Sequence, residues 1–136
     1  TGTSTEEEII KTKQFVDQDK AVYLHCVSSY PCNVEDANLP RINFMKKLSQ
    51  EYGFSDHTIG IEISKLSFEY NINFLEKHYT IDQSLPGRDN KFAILPEDLK
   101  NLSNYRDLKV EANKFHGNDY LNTEKEAREI YTGRWG

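Results

Sequence analysis

The stretch YGFSDHTIGIEISKLSFEYNINFLEKHYTID, residues 52–82, contains two short echoes, SDHT at 55–58 and EKHYT at 76–80. Each sets a histidine, His57 or His78, beside acidic and hydroxyl neighbours, just after a short apolar or aromatic run. GFSDH reads as a very short strand, IEISKLSFEY as a helix by its apolar spacing, and INFLEKHYT as a clearer strand. Both histidines then fall at the carboxyl ends of parallel strands.

The flanking sequence extends the pattern. AVYLHC, residues 21–26, is a nearly continuous apolar run, as expected of a strand buried on both faces, with His25 in its middle. Before it, Ser4 and Glu7 predict a capping box, and Ile9, Ile10, Phe15 and Val16 an apolar stripe, for a helix over 4–19. After it, Ile42, Met45, Leu48 and Tyr52 recur at helical spacing until Gly53, which reads as a helix stop. Beyond the SLPGRD turn, Pro96 opens a helix whose buried face is marked by Leu99, Leu102, Tyr105 and Leu108. Helix, strand, helix, strand, helix, strand, helix is the order of βα repeats on a parallel sheet. Ligands in such folds gather at the carboxyl edge, and consecutive units place their strands about 4.8 Å apart. His57 and His78 are therefore candidates for one divalent-metal site. On spacing alone, two unrelated loop histidines remain the other reading.

Composition narrows the class. The 136 residues fit one domain, and 37% hydrophobic with 29% charged residues is a globular balance. A net charge of −5 argues against nucleic acid as a partner. No apolar run approaches a membrane span, and TGTSTEEEII has no signal-peptide character, so a cytoplasmic protein is expected. Cys26 and Cys32 form no disulfide framework and are expected to be reduced thiols. The start at Thr1, without methionine, suggests the loss of an upstream segment.

Read as motifs, LHCVSSYP (24–31), VEDANL (34–39), GFSDHTIGI (53–61), EKHYTID (76–82), SLPGRD (84–89) and the tail EAREIYTGRWG resemble, in order and spacing, the sialic acid synthase family. These are phosphoenolpyruvate-dependent synthases of nonulosonic acids, among them the neuraminate, legionaminate, pseudaminate and spore-coat polysaccharide types. The resemblance implies an α/β fold, the C-terminal part of a TIM (β/α)8 barrel with about three parallel strands and flanking helices. Residues 1–113 would be barrel units and 114–136 a post-barrel tail. It implies a transferase condensing phosphoenolpyruvate with the open-chain aldehyde of an N-acetylated hexosamine, with a divalent metal, manganese above all, or magnesium or cobalt. His57 and His78 match the family's metal-binding histidines. Ser55 matches a hydroxyl contacting the phosphate of phosphoenolpyruvate, and Ser28 falls where many members place asparagine for the same ligand. Tyr30 and Asp89 match residues facing the sugar, with turn packing beside Pro31 and turn formation beside Gly87 as their other readings. Glu76, two residues before His78, is placed either to orient the metal shell or to make a structural salt bridge. VSSYP is closer to the spore-coat, legionaminic and pseudaminic branches, which shifts the expected sugar away from N-acetylmannosamine. Arg88, Asp89 and Asn90 after Gly87 depart from the proline, aspartate and histidine common there.

The resemblance also implies that five strands of a full barrel, with the family's phosphate-binding lysines and acid-base glutamate, lie outside this sequence. The antifreeze-like domain that many members carry is likewise missing from it. Two readings follow: part of a synthase, inactive alone, that works as a homodimer or with the remaining barrel half, or a non-catalytic remnant serving binding or assembly.

Overall fold

The computed structural model describes residues 1–134. Three parallel strands, β1 (Tyr23–Cys26), β2 (Tyr52–Asp56) and β3 (Phe74–Lys77), lie side by side in chain order. Tyr23 pairs with Tyr52, and Gly53 with Phe74, which puts the ends of β2 and β3 level. The helices are α1 (Glu6–Thr12), α2 (Ile42–Leu48), α3 (Glu62–Ser67), α4 (Pro96–Ala112) and α5 (Lys125–Tyr131). Among the described residues no helix is long and apolar enough to cross a membrane. The last two residues of the tail motif, Trp135 and Gly136, lie outside the described residues.

The core forms on one face of the sheet. Tyr23, Tyr52 and Phe54 pack there with Ile9, Ala37, Ile42, Met45, Leu48 and Ile63. His25 joins them, its ring stacked on Phe54 at 5.5 Å between centroids. A smaller cluster, Ile61, Ile94 and Leu102, seats α4. Strand residues alternate between faces, so Leu24, Cys26, Gly53, Ser55, Phe74 and Glu76 line the other, open face. β1 is accordingly buried on one face only, with Tyr23 and His25 covered and Leu24 and Cys26 partly exposed, in contrast to the two-sided burial its apolar run predicts.

Several boundaries also differ from the sequence reading. The first capping box is made by Thr5 and Glu8, one residue later than Ser4 and Glu7. Glu8 Oε2 accepts from Thr5 N at 2.8 Å, whereas the Ser4 carbonyl is taken by the Arg41 guanidinium at 2.6 Å. α1 stops at Thr12, far short of residue 19, because only Ile9 meets the core while Ile10, Phe15 and Val16 stay exposed. Bonds three residues apart, Lys13 N to Ile10 O and Phe15 N to Thr12 O, then unwind the chain into turns. α2 ends at Leu48, and Tyr52 belongs to β2. Gly53 is therefore no helix stop. It lies mid-strand where a Cβ would strike the Phe74 carbonyl and the Leu24 side chain, so its lack of a side chain permits the close approach of β3. α3 gives way to a 3-10 turn, Phe68–Tyr70, closed by Asn71 at φ 54°. On α4 only Leu102 is buried, at 4% exposure, whereas Leu99 at 51% and Leu108 at 66% face outward.

Candidate functional site

His57 and His78 each follow directly on the last residue of β2 and β3. Because those strands are paired in register, the two rings come together with centroids 5.3 Å apart at an interplanar angle of 63°. Tyr30, from the loop after β1, lies 4.3 Å from the His57 ring and 6.0 Å from the His78 ring. Phe92 closes the other side, 5.2 Å from His78. The histidines sit differently in solvent: His57 is buried at 6% exposure, and the His78 side chain is about one-third exposed.

Hydrogen bonding settles the state of the His57 ring. Its Nδ1 lies 2.8 Å from the Val27 carbonyl oxygen, an acceptor, so Nδ1 carries the hydrogen in the neutral ring. Nε2 is then left with a lone pair, and its nearest polar neighbour is Ser55 Oγ at 3.4 Å. Ser55 has one hydroxyl hydrogen, which it donates to Glu76 Oε1 at 2.7 Å. The Nε2 lone pair thus has no donor to meet, which is the condition of a nitrogen ready to ligate a cation. The His78 ring is similarly uncommitted, with its Nδ1 3.7 Å from Asp89 Oδ2, beyond hydrogen-bond length. This donor set fits a divalent metal held by two imidazoles with its remaining positions open. Among the described residues no group of three or more histidine, cysteine or acidic side chains is arranged to hold a metal, so the pair is at most a partial ligand set.

The other residues singled out in the sequence are distributed around this pair. Ser55 touches both His57 and Glu76 and so lies at its floor. Tyr30, His78, Arg88, Asp89 and Phe92 line an open pocket of about 380 Å³. Ser28 lies at the edge, its hydroxyl 3.9 Å from Cys26 Sγ and packed against Gly2, with no bond to either histidine. Glu76 reaches the site through Ser55 rather than through a ring. Both cysteines are free thiols, and burial pushes the Cys32 thiol up, with the Asp36 and Asp56 carboxylates adding to the shift. His25 and His116 stand apart, the first buried in the core and the second exposed in the tail.

Two contributors are absent from the sequence reading. Phe92 belongs to the apolar triplet Phe92, Ala93 and Ile94, all buried, which forms a single parallel bridge between Tyr79 and Ile94 as a rudimentary next strand. The triplet, set between Lys91 and Pro96, was the available signal. The other contributor is the pair Asp56 and Lys77, each immediately before a histidine in the two echoes and bound to one another at 3.0 Å in the interior.

Comparison with known proteins places this geometry in a family. Residues 1–116 match the NeuB family model. The chain is 42% identical over 88 residues to N,N'-diacetyllegionaminic acid synthase of Legionella pneumophila, covering 62% of this chain and 24% of that protein. It is 35% identical over 104 residues to pseudaminic acid synthase of Campylobacter jejuni, covering 74% of this chain and 30% of the relative. The crystal structure of N-acetylneuraminic acid (sialic acid) synthetase from Leptospira borgpetersenii, in complex with citrate, superposes with a TM-score of 0.77 at 33% identity, over 95% of this chain and 46% of that one. The chain spans about a quarter to a third of the length of these curated relatives. Three parallel strands with flanking helices, ending in a histidine pair, match the fold expected of barrel units, and with residues 1–116 matched the chain belongs to the NeuB family.

Proposed function

We propose that this chain forms part of a cytoplasmic transferase that condenses phosphoenolpyruvate with the open-chain aldehyde of an N-acetylated hexosamine, consuming one water, releasing phosphate and giving a sialic-acid-like nonulosonic acid. The observation that carries the reading is the pair of imidazoles, His57 and His78, each with an uncommitted ring nitrogen and with centroids 5.3 Å apart, at the carboxyl edge of the sheet. They would hold a divalent metal, manganese in the first instance, with magnesium or cobalt as substitutes. When bound, the metal supplies Lewis-acid polarisation of a carbonyl oxygen.

The chain's own residues do the rest. Val27 fixes the His57 tautomer through its carbonyl, so that Nε2 presents a lone pair. Tyr30 and Phe92 wall the pocket with aromatic rings. Asp89, exposed at the rim, accepts a sugar hydroxyl. Ser55 and Ser28 face the phosphate of phosphoenolpyruvate, where Ser55 can turn from Glu76 to the ligand. The similarity to legionaminic and pseudaminic acid synthases supports a sugar other than N-acetylmannosamine.

Among the described residues, the strand positions facing the open side carry no lysine to grip a phosphate, and Lys77 is turned to the other side and bound to Asp56 and Thr58. The chain alone is therefore expected to be inactive and to need the remaining barrel units. The test is phosphate release from phosphoenolpyruvate with manganese and a panel of N-acetylated hexosamines, assayed for this chain alone and extended by the remaining barrel units. Turnover only in the extended chain is expected. No turnover in either identifies a non-catalytic remnant or assembly module instead.

A further inference from the structure

Asp56 and Lys77 precede the two histidines and, by strand alternation, point to the opposite face of the sheet. There they meet in the interior, with Lys77 Nζ 3.0 Å from Asp56 Oδ2 and side chains only 3% and 0% exposed. Asp56 Oδ1 accepts from both the amide and the hydroxyl of Thr58 at 2.8 Å. Oδ2 also accepts from Ser64 Oγ at 2.5 Å. Lys77 Nζ gives a second bond to the Thr58 carbonyl at 2.7 Å. One knot thus joins the end of β2, the turn after it, α3 and the end of β3.

Taking two charges out of water is costly, and a buried ion pair commonly stabilises a fold no better than an apolar pair of the same volume. What it supplies that an apolar pair lacks is a defined length and direction between two strand ends. We propose that Asp56 and Lys77 form a clasp that sets the separation of the His57 and His78 rings. Both are positioning residues, since neither touches the pocket. Its consequence for metal affinity rests on the proposed function above, whereas its effect on ring geometry does not.

The test uses the charge-free double variant Asp56→Asn/Lys77→Met beside Lys77→Arg, which keeps the cation. Three readouts are taken on each: the nuclear Overhauser contact between the two imidazoles, manganese titration followed by electron paramagnetic resonance, and the thermal melt. The double variant is expected to stay folded, lose the ring-to-ring contact and bind manganese roughly 10- to 100-fold more weakly. Lys77→Arg is expected to keep the contact and most of the affinity. Should the double variant not fold, Asp56→Asn/Lys77→Leu, which keeps the Thr58 bonds to Oδ1 and likewise leaves no buried charge, carries the same expectation. A folded charge-free variant with the ring contact and manganese affinity of the parent overturns the clasp. A parent that shows the ring contact but no manganese binding sinks the metal reading instead, and loss of that contact in the variant then still supports the clasp.

Discussion

At the scale of single residues, the four histidines behave as four different groups. His57→Ala and His78→Ala are both expected to abolish manganese binding, measured by calorimetric titration. Sequence position suggests that both sit at a solvent-facing rim, and the structure corrects this for His57, which is buried and bonded to Val27. His57→Ala should therefore also cost stability, on the order of 1–3 kcal/mol for a lost hydrogen bond and the space left behind. His78→Ala, at the half-open rim, should cost less, and His116→Ala should change neither binding nor melting. Unaltered manganese affinity in either of the first two variants would remove the shared site.

His25 gives a pH dependence of defined sign. Burial holds its imidazole below the ordinary histidine range, the bond from Nε2 to the Ala37 carbonyl pulls back upward, and Arg41 nearby lowers it further. Its buried Nδ1 has no partner, so a second proton finds no acceptor there. A lowered folded-state value means the unfolded chain takes up a proton that the native state refuses. Stability from this group is intact above about pH 6.5, where the unfolded imidazole is neutral, and is lost as pH falls below it. Denaturant titrations from pH 7.5 to 5 should show that slope in the parent and a shallower one in His25→Gln.

At the scale of elements, the spacing of apolar residues locates helices better than it says which of them are buried. Leu99, Leu102 and Leu108 of α4 look equivalent in the sequence, yet only Leu102 reaches the Ile61 and Ile94 cluster. Leu102→Ala should cost about 2–5 kcal/mol and Leu108→Ala less than about 0.5 kcal/mol in chemical denaturation. Equal losses would mean that α4 packs on another face. The overlong forecasts for α1 and α2 share a cause. Local periodicity continues through Phe15 and through Tyr52, but the sheet claims Tyr52 for pairing with Tyr23 and leaves Phe15 nothing to pack on. Strand order, by contrast, was fully legible, because short βα connections leave neighbouring positions as the simplest arrangement.

For the whole molecule, the open sheet face decides behaviour in solution. Val22 and Phe74 are exposed there and, with Leu24, line a hollow of about 500 Å³. Apolar surface of this kind favours association. Sedimentation of this chain alone, at on the order of tens of micromolar, is expected to show a dimer or larger species. A folded monomer would mean that the hollow is tolerated in water.

The sequence by itself determined the family, the order of βα units and the two histidines of the candidate site, because short motifs at strand ends carry identity and parallel pairing is dictated by connection length. Only the tertiary structure decided that His57 is buried with its Nε2 free, that Phe92 walls the pocket and that Asp56 and Lys77 join behind it. Those outcomes depend on which side chains meet across strands tens of residues apart and on which single hydrogen each hydroxyl has to give. Local periodicity contains neither.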